Sequence, residues 1–253
     1  MNKIPPYRKR IAQISLANKS FIILALDLES RYQNIRYVQN MIRNLYPFLC
    51  AIKMNFHLLL PSNRRTILDI NKIIHSYGLQ SIADIKLNDI GNTNEVTIKY
   101  LHLMGFDSVI VNPIIGEKEL SSLVGLAHKI GMGVLSLAYM SHENTREGYG
   151  LDVVLRKSNQ KEFLPLFEVF VRYAKKSNVD GIIVGATHLK ILKRISTLTN
   201  IPIYSPGLGT QGGNPRLAIQ NGSSYLIMGR SILYSKDKRK TLSRLLELQE
   251  LRK

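Results

Sequence analysis

Cysteine is nearly absent. Cys50 is the only one in 253 residues, so no intrachain disulfide can form and a cysteine-cluster metal site is excluded. No uninterrupted apolar run reaches membrane-spanning length. Residues 1–20 are basic but lack the apolar middle of a secretory signal. These absences lead to the expectation of a soluble, cytoplasmic protein. Acidic side chains are also in short supply: 18 Asp and Glu stand against 35 Lys and Arg, a net charge of +17. Such an excess suits nucleic acid, an anionic small substrate or a plain solvated surface. The basic residues are dispersed. Modest concentrations occur at Lys3, Arg8, Lys9 and Arg10 and again at Lys236, Lys238, Arg239 and Lys240, and neither is a long basic tract with interleaved aromatics. Both ends are therefore expected to be solvated surface, and neither nucleic acid nor a membrane is expected as a partner. The positive field would still speed the arrival of an anion.

Other signals are missing too. No Gly-x-Gly-x-x-Gly follows the first apolar run, which removes the usual support for dinucleotide binding. The six histidines form no His-x-x-x-His pattern and the possible ligands do not cluster by spacing, so no metal site is expected. Spacing identifies no nucleophile–histidine pair, and no low-complexity linker marks a second domain.

What is present is an alternation of apolar runs and amphipathic stretches. Strand-like runs occur at 21–27, 50–56, 78–87, 107–112, 131–140, 181–185, 201–205 and 225–229. Helical stretches occur at 30–46, 64–77, 94–104, 117–130, 163–177, 188–198, 214–221 and 235–251. The runs are continuously apolar rather than half polar, which argues for parallel strands covered on both faces. Eight such units in one domain of this length predict a TIM (β/α)8 barrel over 21–253, preceded by a basic extension at 1–20. A doubly wound open sheet is the alternative. The polar segment 141–160 reads as a long loop, a candidate mobile lid.

In such a barrel the chemistry sits at the carboxyl ends of the strands. Asp84 and Lys86 lie two apart on the third run and so point the same way, with Asp89 just past its end. A row of alternating opposite charges there is either a structural ion-pair network or a site that uses charge. Asp27 ends the first run, where it could instead cap a helix. Lys53 lies near the end of the second, and Ser141 ends the fifth. After the seventh run comes Ser205-Pro206-Gly207-Leu208-Gly209-Thr210-Gln211-Gly212-Gly213, and after the eighth Gly229-Arg230. Glycine-rich loops let backbone N–H groups approach an anion, and this is where such barrels bind phosphate. The plain alternative is that the glycines only make turns.

Together, the Asp84-x-Lys86-x-x-Asp89-Ile90 motif with Thr93 behind it, Asp27, Lys53, Met140-Ser141-His142, Pro206-Gly207, Gln211-Gly212-Gly213 and Gly229-Arg230 resemble the orotidine 5'-phosphate decarboxylase family. The match runs from about Phe21 to Leu233, and the compact loops are closest in character to the archaeal branch. The Asp-x-Lys-x-x-Asp motif is shared with magnesium-dependent relatives, 3-keto-gulonate 6-phosphate decarboxylase and hexulose-phosphate synthase. Those carry an acidic residue near the end of strand two, where this chain has Lys53. The resemblance implies decarboxylation of orotidine 5'-monophosphate to UMP without a cofactor or metal. It implies that Lys86 protonates C6, that Asp84 lies beside the substrate carboxylate, and that Lys53 and Asp27 contact ribose hydroxyls. Ser141 would bond the pyrimidine edge, and Gln211 and Arg230, with the Pro206, Gly207 and Gly229 loops, would hold the phosphate. Asp89, Ile90 and Thr93 would reach into the partner's site of a homodimer. A magnesium-dependent sugar-phosphate lyase and a basic nucleic-acid-binding barrel are the competing readings.

Overall fold

A computed structural model of the chain describes residues 4–27, 35–157 and 160–251. Ten strands are described: β1 Ile22–Ala25, β2 Ala51–Asn55, β3 Gln80–Leu87, β4 Ser108–Val111, β5 Gly133–Tyr139, β6 Asp152–Lys157, β7 Gln160–Pro165, β8 Gly181–Val184, β9 Ile203–Ser205 and β10 Tyr225–Met228. Eight of them close a barrel in the order β1-β10-β9-β8-β5-β4-β3-β2, while β6 and β7 form a separate two-stranded sheet. Every pairing within the barrel is parallel. The doubly wound alternative is thereby excluded, because an open sheet would leave two edges.

The helices are α1 Tyr7–Ala17, α2 Ile35–Leu45, α3 Phe56–Leu59, α4 Arg64–Ser76, α5 Gly91–Leu103, α6 Glu117–Lys129, α7 Leu166–Lys176, α8 Leu189–Leu198, α9 Pro215–Gln220, α10 Arg230–Leu233 and α11 Lys238–Leu246. Their sequences explain them. In α2, Val38, Met41, Ile42 and Leu45 recur at helical spacing and are buried against the barrel. Asn63 caps α4 by accepting the Thr66 N–H at 2.9 Å, and Gly78 closes it at φ +73°, a conformation glycine adopts without steric cost. Among the described residues no helix is long and apolar enough to cross a membrane.

Four sequence expectations need correction. The basic N-terminal stretch is not plain solvated surface: α1 lies across the amino-terminal end of the barrel, with Tyr7 and Ile11 in the core. Arg8 donates to the Val179 carbonyl at 2.6 Å, and Arg10 donates to Gln80 at 2.8 Å and to the Gly131 carbonyl at 3.0 Å. The segment 141–160 is not a featureless loop. A short 3-10 turn, Glu143–Glu147, leads into the antiparallel hairpin of β6 and β7, and helix α7 starts at Leu166 because residues up to Pro165 belong to the second strand. The closing helix divides into α11 and a 3-10 turn, Glu247–Leu251. Helix α5 begins at Gly91, three residues before the expected start. The helix expected at 30–46 is seen from Ile35, and its first residues lie outside the described ones.

Candidate active site

The strand register brings the charged residues together. Ala25 pairs with Lys53, and Asn55 with Asp84, so β1, β2 and β3 present their carboxyl ends side by side. The Lys53 Nζ lies 2.7 Å from Asp84 Oδ2 and 3.4 Å from Asp27 Oδ1. The Lys86 Nζ lies 2.7 Å from Asp84 Oδ1. The four side chains therefore form one continuous row, Asp27–Lys53–Asp84–Lys86, with opposite charges alternating along it.

Burial differs along this row and decides what each member can do. Lys53 and Asp84 are buried, 5% and 7% exposed. Burial alone would push the Lys53 ammonium down, but the carboxylates of Asp84 and Asp27 outweigh it and leave the group raised above its ordinary value. Burial would likewise raise Asp84, yet Lys53 and Lys86 together hold it below the usual carboxylate range. Both are therefore ionised through the neutral range. The Lys86 side chain is 40% exposed and stands at the cavity end of the row.

Lys86 reaches that place by an irregular backbone. Between the pairs Ala83↔Val109 and Leu87↔Val111, β3 advances four residues while β4 advances two. Within this bulge Lys86 has φ +46°, a left-handed conformation that costs a residue with a side chain about 1–3 kcal/mol. Simple strand alternation was enough to place Asp84 and Lys86 together, but not to foresee that the lysine is re-aimed by a strained bulge.

Facing the row is a cavity of about 420 Å³. Asp27, Lys53, Asp84, Lys86, Ser141, Pro206, Gly207, Gln211, Gly229 and Arg230 all line it. Its floor is apolar, built from Ala25, Ile110, Leu137, Ile183 and Ile227. On the far rim Ser141 Oγ donates to Gln211 Oε1 at 2.8 Å. Gly207 has φ +88°, and a Cβ there would fall 2.5 Å from the Ser141 Cβ, so only glycine lets this loop pass beside Ser141. The Ser141 and His142 carbonyls are fastened by Thr187 Oγ1 at 2.9 Å and His188 Nε2 at 3.1 Å. Arg230 opens α10 at the exposed rim, where a forked cation suits a phosphate.

Asp89, Ile90 and Thr93 do not line this cavity; all three are exposed at the start of α5. Conversely, Asn55 and Glu143 line it without having been noted in the sequence, and His142, Leu208 and Thr210 line it as members of stretches quoted there but given no role. Asn55 was discoverable, since it lies two residues beyond Lys53 on the same strand and thus on the same face. Among the described residues no group of three or more His, Cys, Asp or Glu could hold a metal ion.

Comparison with known proteins agrees with this geometry. Residues 20–245 match the profile of the family described as Orotidine 5'-phosphate decarboxylase / HUMPS family. The chain is 33% identical over 217 residues to the orotidine 5'-phosphate decarboxylase of Thermoplasma volcanium, covering 86% of this chain and 87% of that one. The crystal structure of orotidine 5'-monophosphate decarboxylase from Methanocaldococcus jannaschii complexed with the inhibitor BMP superposes with a TM-score of 0.75 at 26% identity, covering 91% of this chain and 98% of that one. Leishmania donovani UMP synthase shares the fold, with a TM-score of 0.82 at 17% identity over 97% of this chain and 56% of that one.

Proposed function

The chain belongs to the orotidine 5'-phosphate decarboxylase / HUMPS family, and on that premise we propose that it converts orotidine 5'-monophosphate to UMP and carbon dioxide, the last step of pyrimidine nucleotide synthesis, in the cytoplasm. One observation carries the reading: the row Asp27–Lys53–Asp84–Lys86 faces, across a single cavity, a glycine-lined rim bearing Gln211 and Arg230. A nucleotide with a phosphate at one end and a reacting ring at the other needs both halves.

The chemistry follows from the row. Breaking the bond between C6 and its carboxylate leaves an electron pair on an sp² ring carbon with no sink. The Lys86 ammonium provides a positive charge where that pair develops, and its proton then forms the new C6–H bond, leaving a neutral amine. Asp84 bonds Lys86 at 2.7 Å and Lys53 at 2.7 Å, so the proton donor is held in place before the substrate arrives. The same carboxylate crowds the departing one. Lys53 and Asp27 take the ribose hydroxyls, Ser141 the pyrimidine edge, and Gln211, Arg230 and the Pro206, Gly207 and Gly229 backbones the phosphate. That grip lies far from C6, yet its binding energy can be spent on orienting the ring.

Against the magnesium-dependent reading, the Lys53 ammonium already stands between the Asp27 and Asp84 carboxylates and balances their charge. An absorbance assay with orotidine 5'-monophosphate in the presence of a chelator tests the assignment. Turnover that persists supports it. Loss of turnover with the chelator, or salt-sensitive nucleic-acid binding with no turnover at all, overturns it.

We further propose a homodimer with shared sites. Asp89, Ile90 and Thr93 face outward from the start of α5, and Ile90 is 71% exposed. Val96, Tyr100 and Leu103 extend this exposed apolar surface along the same helix. A second copy seated there would cover it and receive Asp89 and Ile90 at the mouth of its own cavity. Sedimentation that finds only monomer at assay concentrations overturns this part.

A further inference from the structure

Helix α5 opens without a cap of its own. Ile90 occupies the N-cap position and has no side-chain oxygen to offer. The first N–H groups of any helix lack partners within it, and a carboxylate near them is favoured by the helix dipole as well as by hydrogen bonding. Here the carboxylate comes from another helix. Glu119, in the first turn of α6, accepts the Gly91 N–H through Oε2 at 3.1 Å.

Two further ties hold the same corner. Asp89 Oδ1 accepts the Ile90 N–H at 2.7 Å. The buried Asn94 donates through Nδ2 to the Asp89 carbonyl. The backbone from Asp89 to Gly91 is thus fixed at three points, while the side chains of Asp89, Ile90 and Thr93 stay exposed and do not line the cavity of their own chain. A corner pinned this firmly yet facing outward is built to present its side chains to something else.

We propose that Glu119 is a positioning residue that works in trans: by holding the Gly91 N–H it sets where Asp89 and Ile90 stand in the active site of a second copy of this chain. The proposal rests on the shared-site dimer above. It requires no contact between Glu119 and substrate. Its influence passes through the first turn of α5, whose displacement by an ångström would suffice to misplace Asp89 at the partner's reacting centre.

Mixed dimers test it. Two differently tagged chains are co-expressed and the dimer bearing both tags is isolated. Glu119→Ala alone is expected to lower kcat/KM about 10- to 100-fold. Paired with Lys86→Ala, it is expected to recover one wild-type site per dimer, because one cavity then combines an intact Lys86 with an intact α5 corner from its partner. A purely structural glutamate would act on its own chain, and the mixed dimer would stay at the Glu119→Ala level, overturning the proposal. An unchanged kcat/KM in Glu119→Ala overturns it as well. The pair Asp89→Ala with Lys86→Ala separates the two levels. If that pair recovers a site and the Glu119 pair does not, the shared site stands and the role of Glu119 falls. If neither recovers, the shared site falls and takes this proposal with it. Should Glu119→Ala fail to fold, Glu119→Met, which keeps the length of the side chain but removes the acceptor for the Gly91 N–H, is read in the same way.

Discussion

At the amino-terminal end of the barrel, Asp107 and Asp180 give their carboxylates to the backbone; at the carboxyl end, Asp84 gives its carboxylate to two ammonium groups. Asp107 Oδ2 accepts the Ser81 N–H at 2.8 Å and also meets His75 Nε2 at 2.8 Å, with Arg10 at 3.3 Å on its other oxygen. Asp180 Oδ2 repeats the pattern with the Val134 N–H at 2.9 Å and His128 Nε2 at 2.8 Å. Each ties a strand to the neighbouring strand's loop and to a helix end, under the lid formed by α1. Asp84 meets only Lys53 and Lys86 among the described hydrogen bonds. A carboxylate closed by amides is committed to holding the fold. One balanced by ammonium groups beside a cavity can exchange partners during a reaction. The difference lies in what surrounds the charge, since both ends hold buried acids.

The largest expected effect breaks this comparison at the mouth. Lys86→Ala should lower kcat by at least about 10⁴-fold, since it removes both the proposed proton donor and a preorganised charge. Lys86→Gly should be equally inactive, yet at least as stable as Lys86→Ala by thermal melting, because glycine relieves the φ +46° strain. A Lys86→Gly chain much less stable than Lys86→Ala would mean that the bulge carries no strain.

The next pair of substitutions sets one end against the other. Lys53→Met leaves Asp84 and Asp27 facing each other without their shared cation, so it should abolish turnover and also cost about 3–5 kcal/mol in chemical denaturation. Asp107→Asn should cost about 1–3 kcal/mol through weakened bonds to Ser81, His75 and Arg10, with kcat unchanged. A fall in kcat for Asp107→Asn, measured well below its melting temperature, would show that the two ends are coupled.

Legibility in the sequence follows the same division. The mouth could be read because its chemistry lies on strands and at their ends: Asp84 and Lys86 are two apart, and glycine loops carry a compositional signature. Eight apolar runs sufficed for the barrel. The floor of the barrel, meaning its amino-terminal end under α1, could not be read, because its ties span long separations: Arg10 to Asp107, or Arg8 to the Val179 carbonyl. Tyr7, Ile11 and Ser15, the buried stripe of α1, sit at helical spacing among basic residues that masked it. The hairpin of β6 and β7 escaped because charged residues interrupt both strands, at Asp152, Arg156, Lys161 and Glu162, and because Phe163-Leu164 runs on toward the apolar face of α7. Nothing local marks Lys86 as left-handed or Glu119 as the cap of a helix it does not belong to.

The smallest expected effect sharpens the comparison through pH. Asp84 is lowered and Lys53 raised, so Asp84 stabilises the fold above its unfolded value of about 3.9, and Lys53 does so below its unfolded value of about 10.4. The Lys53–Asp84 pair therefore contributes no pH dependence of stability between those limits. The floor does. The hydrogen bond to Asp180 holds His128 above its ordinary value, although burial and the nearby Arg8 pull the other way. A raised pKa means that the charged His128–Asp180 pair stabilises fully below the unfolded value of about 6.5 and loses that contribution as pH rises through the higher folded value. The His128 side chain is 37% exposed, and water screens the pair, so the contribution is under about 1 kcal/mol. His128→Gln should thus lower the melting temperature more at pH 6 than at pH 9. A His128→Gln deficit that is the same at both pH values would mean that the pair is an uncharged hydrogen bond, and that it, like the Lys53–Asp84 pair, does not respond to pH in the neutral range.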